Sequence, residues 1–326
     1  MLKYILRRIL LLIPVMLGVT FVVFTIMRMA PGDPVVSILG INISEEQYLA
    51  KQSELGLDQP FLIQFFTYVK NIVLRFDLGT SYADGRSVTT ILLERFPTTL
   101  KLGLLGVSVP IFIGIPFGVL SATKQYSILD RIVTIGSLVF ASMPDFWYGL
   151  MMMLLFSLTL GWLPASGIGG WQYWVMPVLA VGLSPVAGVT RMTRSSMLDV
   201  VRQDYIKTAQ AKGLSDSTII WKHALKNALI PVLTVVGMQL GSIMAGSVVI
   251  ESIFSIPGMG SLLSAAINSQ NYSLVQGGVI FIALFICLTN LLIDIAYAFV
   301  DPRIMAQYSS EKNKKKKTVG MVGGEQ

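Results

Sequence analysis

Six long stretches of apolar residues constrain this chain more than any other feature of its sequence. A helix needs about 20 mostly apolar residues to cross roughly 30 Å of hydrocarbon, and lipid leaves its backbone hydrogen bonds to be made internally. We therefore predict an all-α integral membrane protein with six transmembrane helices. Pro144 is expected to kink the third stretch, and Pro177 and Pro185 interrupt the fourth. The stretches cover approximately residues 9–27, 98–122, 132–160, 174–189, 229–250 and 277–300.

The composition excludes several classes of enzyme. Of 326 residues, 53% are hydrophobic and only 13% are charged, whereas a soluble domain carries about 25% charged residues. The sequence has one cysteine, Cys287, and one histidine, His223. A single cysteine cannot form an intrachain disulfide, and we predict no metal site of the Cys-cluster, His₃ or HExxH type. The sequence has no phosphate-binding Gly-x₄-Gly-Lys-Ser/Thr loop. We predict a chain that is not an enzyme and takes its energy from a partner or an ion gradient.

Positive charge predicts the orientation in the membrane. The first apolar stretch follows Lys3, Arg7 and Arg8 but is longer than the roughly 7–15 apolar residues of a signal peptide, so we interpret it as a retained helix. The connections 161–173 and 252–276 contain no Lys or Arg. Because positive loops stay inside, both termini are predicted to be cytoplasmic. The connection 191–227 is rich in positive charge: Arg191, Arg194, Arg202, Lys207, Lys212, Lys222 and Lys226.

Four regions follow from this topology. Residues 1–29 form the N-terminal segment and first span, and residues 30–97 form a large extracytoplasmic loop. Residues 98–303 hold the other five spans, and residues 304–326 form a basic tail that we expect to be disordered and that can touch anionic lipid. In the outer loop we predict one helix beginning at Ser44 and a second over 61–75. This loop is either a cap packed on the membrane face or a docking surface.

The inside connection 191–227 is the most informative segment. We predict a helix over 199–212 that ends at Gly213, where a permissive backbone suits a C-cap. Ser215 is expected to cap the next helix, which continues into the fifth span. One alternative is a solvated basic loop, which would explain the positive charge of this segment but not its length. The length and the direct continuation into a span favour a docking element that passes a partner's motion into the bilayer.

Acidic residues close to the membrane suggest a pathway, because charge is costly there. Asp145 is the strongest internal candidate for a pathway or gate, and Glu251 is a second. Asp294 is interpreted as interfacial or as a helix-packing partner. The pairs Gly114/Gly118 and Gly237/Gly241 are spaced for close helix approach.

Many short motifs, in order along nearly the whole chain, carry a family resemblance. The inside connection contains RMTRSSML at 191–198, DYIKTAQAKGL at 204–214 and HALKNALIP at 223–231. The rest of the chain contains LRR at 6–8, PGDP at 31–34, LGLD at 55–58, DLG at 77–79, SMP at 142–144, PGMG at 257–260, VQGG at 275–278 and DPR at 301–303. Together they resemble the permeases of bacterial ABC importers for dipeptides, oligopeptides and nickel, of the first-permease type.

The resemblance implies a type I ABC importer permease fold in the bacterial cytoplasmic membrane. It implies a second permease subunit, two ATP-binding subunits that hold ATP and Mg, and an extracytoplasmic peptide-binding protein; lipid is a further partner, and nucleic acid is not. Aligned with the general permease EAA motif, only Ala209, Gly213 and Leu225 match. The ATPase-coupling residues that it implies are Tyr205, Ala209, Ala211, Lys212 and Gly213.

Three functions remain distinguishable at this point. The first is a permease subunit for di- or oligopeptides, with nickel chelates or glutathione as other cargoes of the same family. The second is an ion-coupled secondary transporter, which needs coupling charges near the midplane and usually a repeat; Asp145 is present, but the sequence shows no convincing repeat. The third is an intramembrane aspartyl enzyme, whose Gly-x-Gly-Asp motif is absent from the sequence.

Overall fold

The computed structural model describes residues 2–300, and within them the chain is helical apart from loops and an isolated antiparallel bridge between Thr80 and Ser87. Fifteen α-helices follow in chain order, with π-helical segments after α5, α8 and α11. They are α1 Leu2–Met29, α2 Pro34–Leu39, α3 Glu45–Glu54, α4 Phe61–Arg75, α5 Val88–Val109, α6 Ile115–Thr123, α7 Ile128–Ser142, α8 Asp145–Met152, α9 Gln172–Val201, α10 Asp204–Ala211, α11 Asp216–Thr218, α12 Leu225–Gly246, α13 Val248–Ile253, α14 Met259–Asn268 and α15 Tyr272–Val300.

Five helices of the described chain are long and apolar enough to cross a membrane, and a bent helix pair raises the number of crossings to six when it is counted as one span. The predicted all-helical membrane fold is therefore confirmed. The five are Ile5–Met29, Val88–Thr123, Gln172–Val201, Asp216–Met244 and Tyr272–Ile295, and the bent pair is Ile128–Ser142 with Asp145–Thr159.

The third span is not the kinked but continuous helix that the sequence predicts over 132–160. It breaks between α7 and α8, whose axes differ by 96°. Met143 at the break is extended, with φ −101° and ψ 135°, because the ring of Pro144 disfavours helical backbone in the residue before it. The hydroxyl of Tyr148 donates to the carbonyl of Phe140 at 2.7 Å and so joins the two halves across the break.

Other span boundaries also differ from the hydropathy pattern. The second span begins at Val88 rather than near residue 98, because Val88, Ile91 and Leu92 are buried in an apolar cluster. The fourth runs unbroken over Gln172–Val201 despite its two prolines, and continues well past residue 189. Hydropathy reports what faces lipid, whereas packing against protein decides how far each helix continues.

The core is built around α9. It packs against α5, α6, α7, α8 and α12, and 13 of its 30 residues are buried. Glycine permits the closest approach: a Cβ on Gly118 would lie 2.7 Å from the carbonyl oxygen of Thr190. The close packing predicted for Gly114/Gly118 is confirmed, and Gly237 likewise lies directly against Ile293 of α15.

The predicted outer loop contains both predicted helices, and the second of them, α4, packs onto α1. Ser44 forms the expected capping box at the start of α3, and α4 covers Phe61–Arg75 as the sequence predicts. Phe61 and Phe65 of α4 make edge contacts with Phe21 and Phe24 of α1.

The Pro-Gly-Asp-Pro motif holds the first outer helices together. Asp33 caps α2 by accepting from the Val35 amide at 2.8 Å, and it accepts from the Tyr48 hydroxyl of α3 at 2.7 Å. Burial acts to raise the pKa of Asp33, but these hydrogen bonds outweigh it and hold the pKa below its ordinary value. The basic tail predicted for 304–326 lies outside the described residues.

Candidate functional site

The loop 191–227 forms the predicted helix–turn–helix, with corrected boundaries. There is no single helix over 199–212; α9 continues to Val201, and α10 begins at Asp204. Gly213 ends α10 in the left-handed region with φ +77°, as predicted. Ser215 caps α11 by accepting from the Thr218 amide at 3.4 Å, and the helix then runs through a π-helical segment into α12.

One face of α10 is anchored in the helical core of this chain. Ile206 is fully buried and Ala209 nearly so, and both belong to an apolar cluster shared with three spans. The cluster therefore joins α10 to the ends of α6 and α9 and to the start of the fifth span. Its other buried members are Val119, Ala122, Met197, Ile219, Ala224 and Ala228.

The other face of α10 and its turn are exposed. Tyr205, Ala211, Lys212 and Gly213 all reach the surface, and a Cβ on Gly213 would meet no atom within 4 Å. The Asn227 amide donates to the Tyr205 hydroxyl at 2.7 Å. Four of the five predicted coupling residues are thus exposed on this face of α10 and its turn, whereas Ala209 is buried against the spans.

An ion pair beside this loop was not identified from the sequence. Arg194 on α9 contacts Asp130 on α7 with Nε at 2.8 Å and Nη2 at 2.9 Å, and Asp130 is buried. Asp130 also accepts from the Ser121 hydroxyl and from the Tyr126 amide. In the sequence Arg194 contributes only to the positive charge predicted to lie inside. The available signal was Asp130, an acid among the positively charged residues of the predicted inside loops. We call these four residues the α6–α7–α9 clasp.

Asp145 lies on a cavity of about 290 Å³ beside the break in the third span. The cavity is bounded by α7 and α8, α9 and α12. Its polar lining consists of Asp145, Ser184, Arg191, Gln239 and Ser242. Broken helices are tolerated at membrane depth where they line a cavity; the role of Asp145 in a pathway stays a prediction.

Glu251 has a different environment. It is fully buried in the short helix α13, and its carboxylate accepts from Thr99 at 2.6 Å, Ser247 at 3.1 Å and the Ser261 amide at 3.0 Å. A Cβ on Gly258 would lie 2.4 Å from its carboxyl carbon. Glu251 therefore organises the Pro-Gly-Met-Gly turn, and its role as a gate stays a prediction. Asp294, in contrast, pairs with Arg8 at 2.6 Å and joins α15 to α1.

A multi-span helical core with an anchored but exposed helix α10 and a polar cavity at a broken helix fits a membrane transport protein. Two family models match: residues 114–306 match the inner membrane component of binding-protein-dependent transport systems, and residues 1–103 match the N-terminal part of such components. The chain belongs to this family of inner membrane transport components.

Similar proteins agree with that assignment. The chain is 40% identical to a dipeptide transport system permease protein of Alkalihalophilus pseudofirmus and 39% identical to an oligopeptide transport system permease protein of Bacillus subtilis. A glutathione transport system permease protein of Salmonella choleraesuis is 37% identical. Each comparison covers 93% of this chain and 99% of the relative.

A solved structure confirms the predicted importer permease fold. A chain of the inward-facing MetNI methionine ABC transporter matches with a TM-score of 0.55 at 18% identity. The match covers 65% of this chain and 97% of that chain. At this identity the likeness concerns the fold alone.

Proposed function

We propose that this chain is the permease subunit of an ATP-driven importer of di- and oligopeptides and forms half of the translocation pathway. The observation that carries the proposal is α10, which is anchored on three spans through one face and exposed on the other. A partner that moves this helix would move the spans with it. The peptide cargo follows from relatives at about 40% identity over nearly their full length that are named as dipeptide and oligopeptide permeases.

The proposal assigns the energy source to partner subunits. Two ATP-binding subunits hold ATP and Mg on the cytoplasmic side, and their closure displaces α10. Tyr205, Ala211, Lys212 and Gly213 form the contact, and Ala209 transmits the displacement from beneath because it is packed in the shared cluster. The spans then expose the pathway outward, where an external binding protein delivers the peptide to the outer loop and a second permease subunit completes the pathway.

The decisive experiment separates ATP from an ion gradient. The chain is reconstituted in liposomes with its partner permease, ATP-binding subunits and binding protein, and uptake of a labelled dipeptide is measured. We expect uptake that requires internal ATP and persists when the proton gradient is abolished. Glutathione and a nickel chelate, tested in the same liposomes, identify the preferred cargo. Uptake that follows the ion gradient without ATP would establish the secondary transporter instead.

Gly213 tests the coupling contact itself. Gly213→Val places a β-branched residue at φ +77°, which costs on the order of 1–2 kcal/mol, so the turn should shift and uptake should fall at least about tenfold. Gly213→Asn is the matched control, because asparagine tolerates the left-handed region. Both variants should insert in the membrane at the normal level. Normal uptake by the valine variant would show that this turn is not the coupling element.

A further inference from the structure

The cavity beside the broken third span carries two charges of opposite sign. Asp145 stands at the start of α8 and interacts with the side chain of Ser184, and Arg191 lies two turns further along the same face of α9. Within residues 2–300, neither Asp145 nor Arg191 takes part in an ion pair. Separated unpaired charges on one polar cavity are costly near lipid unless a ligand or water meets them.

The spacing of the two charges can be estimated from helix geometry. Ser184, which interacts with Asp145, precedes Arg191 by seven positions, which at 1.5 Å per residue is roughly 10 Å along α9. An extended peptide advances about 3.3–3.6 Å per residue, so two or three residues cover a similar length. The cavity volume of about 290 Å³ is at the low end of the range of small-molecule sites, which also favours a short ligand.

The remaining polar lining suits a peptide backbone. Gln239 and Ser242 of α12 line the same cavity and offer an amide and a hydroxyl, which can donate to and accept from peptide groups. Arg191 also lines a second cavity, of about 510 Å³, together with Arg131 and Arg194. Asp130 also lines this second cavity and pairs with Arg194 there, so the positive group that the first cavity offers to a ligand is Arg191.

We propose that this cavity binds a short zwitterionic peptide in transit, with Asp145 on the peptide's α-ammonium group and Arg191 on its α-carboxylate. The proposal rests on the proposed function and specifies which chemical groups of the cargo the membrane pathway recognises. Both termini meet an opposite charge, and a guanidinium can hold a carboxylate with two hydrogen bonds. Di- and tripeptides with free termini fit the spacing better than longer or blocked peptides.

The proposal is tested by asking whether a peptide protects a cysteine in the cavity from labelling. Omitting the binding protein removes its own selectivity from the result. The variant carries Cys287→Ala, which removes the natural cysteine, and Ala141→Cys, which places a cysteine on the cavity wall. The partner subunits of the complex lack cysteine. Maleimide labelling is measured in the complex without binding protein. We expect a free di- or tripeptide to slow labelling at least about threefold, and the N-acetylated or C-amidated peptide to leave it unchanged. Asp145→Asn or Arg191→Gln should each weaken protection by the free peptide about tenfold.

Two controls make the result decisive. Asp199→Asn and Arg202→Gln remove exposed charges outside both cavities and should leave protection unchanged. Gly188→Leu has room for its Cβ, with Gln239 Nε2 at 3.9 Å as the nearest atom, so it should fold, fill the cavity and stop uptake. Gly18→Leu, also at an open position, should fold and leave uptake unchanged.

The outcomes separate the two proposals. The peptide site is wrong if no peptide protects the cysteine, if blocked peptides protect equally, or if both charge variants keep full protection. In each of these cases ATP-dependent uptake by the unmodified complex still supports the proposed function. If the unmodified complex takes up no peptide with ATP, the proposed function fails. Protection by free peptides alone that is lost in either charge variant supports the site.

Discussion

At the scale of single residues, burial distinguishes side chains that the sequence makes look alike. Ala209 and Ala211 stand two positions apart in the same motif, yet Ala209 is buried in the α10 cluster and Ala211 is exposed. Asp145 and Glu251 are both acids near the membrane, yet one lines a cavity and the other is enclosed by three donors. The structure thus separates anchoring residues from contact residues.

The alanine pair yields a matched prediction. Ala209→Leu adds three carbons to a packed site, which costs about 1–3 kcal/mol of stability, and we expect a lower melting temperature of the purified complex. Ala211→Leu should leave that temperature within a degree or two but weaken association with the ATP-binding subunits. Thermal unfolding and a pull-down of those subunits measure the two effects. A reversed pattern would show that α10 docks with its other face.

Glu251 is predicted to matter for stability. In Glu251→Gln the amide end cannot accept from all three donors, and a buried unsatisfied group costs about 1–3 kcal/mol, so the melting temperature should fall. Glu54→Gln removes only an exposed pair with Lys51, which is worth about 0–1 kcal/mol, and serves as control. Loss of uptake at unchanged melting temperature would contradict this structural role and favour the gate predicted from the sequence.

At the scale of elements, the clasp determines how α10 is held. Asp130 and Ser121 belong to the α6–α7 hairpin and Arg194 to α9, and the same ends of α6 and α9 support α10 through the buried cluster. The clasp therefore fixes the two helix ends on which the coupling helix rests.

Breaking the clasp should uncouple the protein. Asp130→Asn leaves a guanidinium without its carboxylate. Because the Arg194 side chain is 27% exposed, we expect less than the roughly 3–5 kcal/mol of a fully buried pair, about 1–3 kcal/mol. The measurement is the number of peptides taken up per ATP hydrolysed, which should fall at least several-fold. Asp204→Asn, in the exposed pair with Lys207, is the control. A double-mutant cycle with Arg194→Gln should be non-additive; additivity would exclude direct coupling through this pair.

At the scale of the whole molecule, the orientation in the membrane organises every functional assignment. The proposal requires α10 to face the cytoplasm and the outer segment to face the other side. The positive charge of the 191–227 loop predicts this arrangement.

Cysteine labelling tests the orientation. In a Cys287→Ala background, Lys212→Cys should react with an impermeant maleimide only in inside-out vesicles, and Ala83→Cys only in right-side-out vesicles. Both positions are exposed, so either site can react when the reagent reaches it. Labelling of Lys212→Cys in right-side-out vesicles would overturn the topology and, with it, the coupling proposal.

The sequence by itself determined the features that depend on local chemistry. Apolar runs specified the membrane class, because the bilayer requires a minimum length of apolar helix. The capping box at Ser44, the helix over Phe61–Arg75 and the left-handed Gly213 all followed from residues adjacent in sequence. The ordered short motifs indicated the family, which the comparisons confirmed.

Only the tertiary structure decided the features that join distant residues. Hydropathy could not show the 96° break at Pro144, because a broken and a continuous span are equally apolar. Nor could it show that Ala209 turns inward, that Asp130 meets Arg194, or that Asp145 and Arg191 share one cavity. Each depends on how helices far apart in the chain pack together, and packing is a property of their joint arrangement rather than of any one segment.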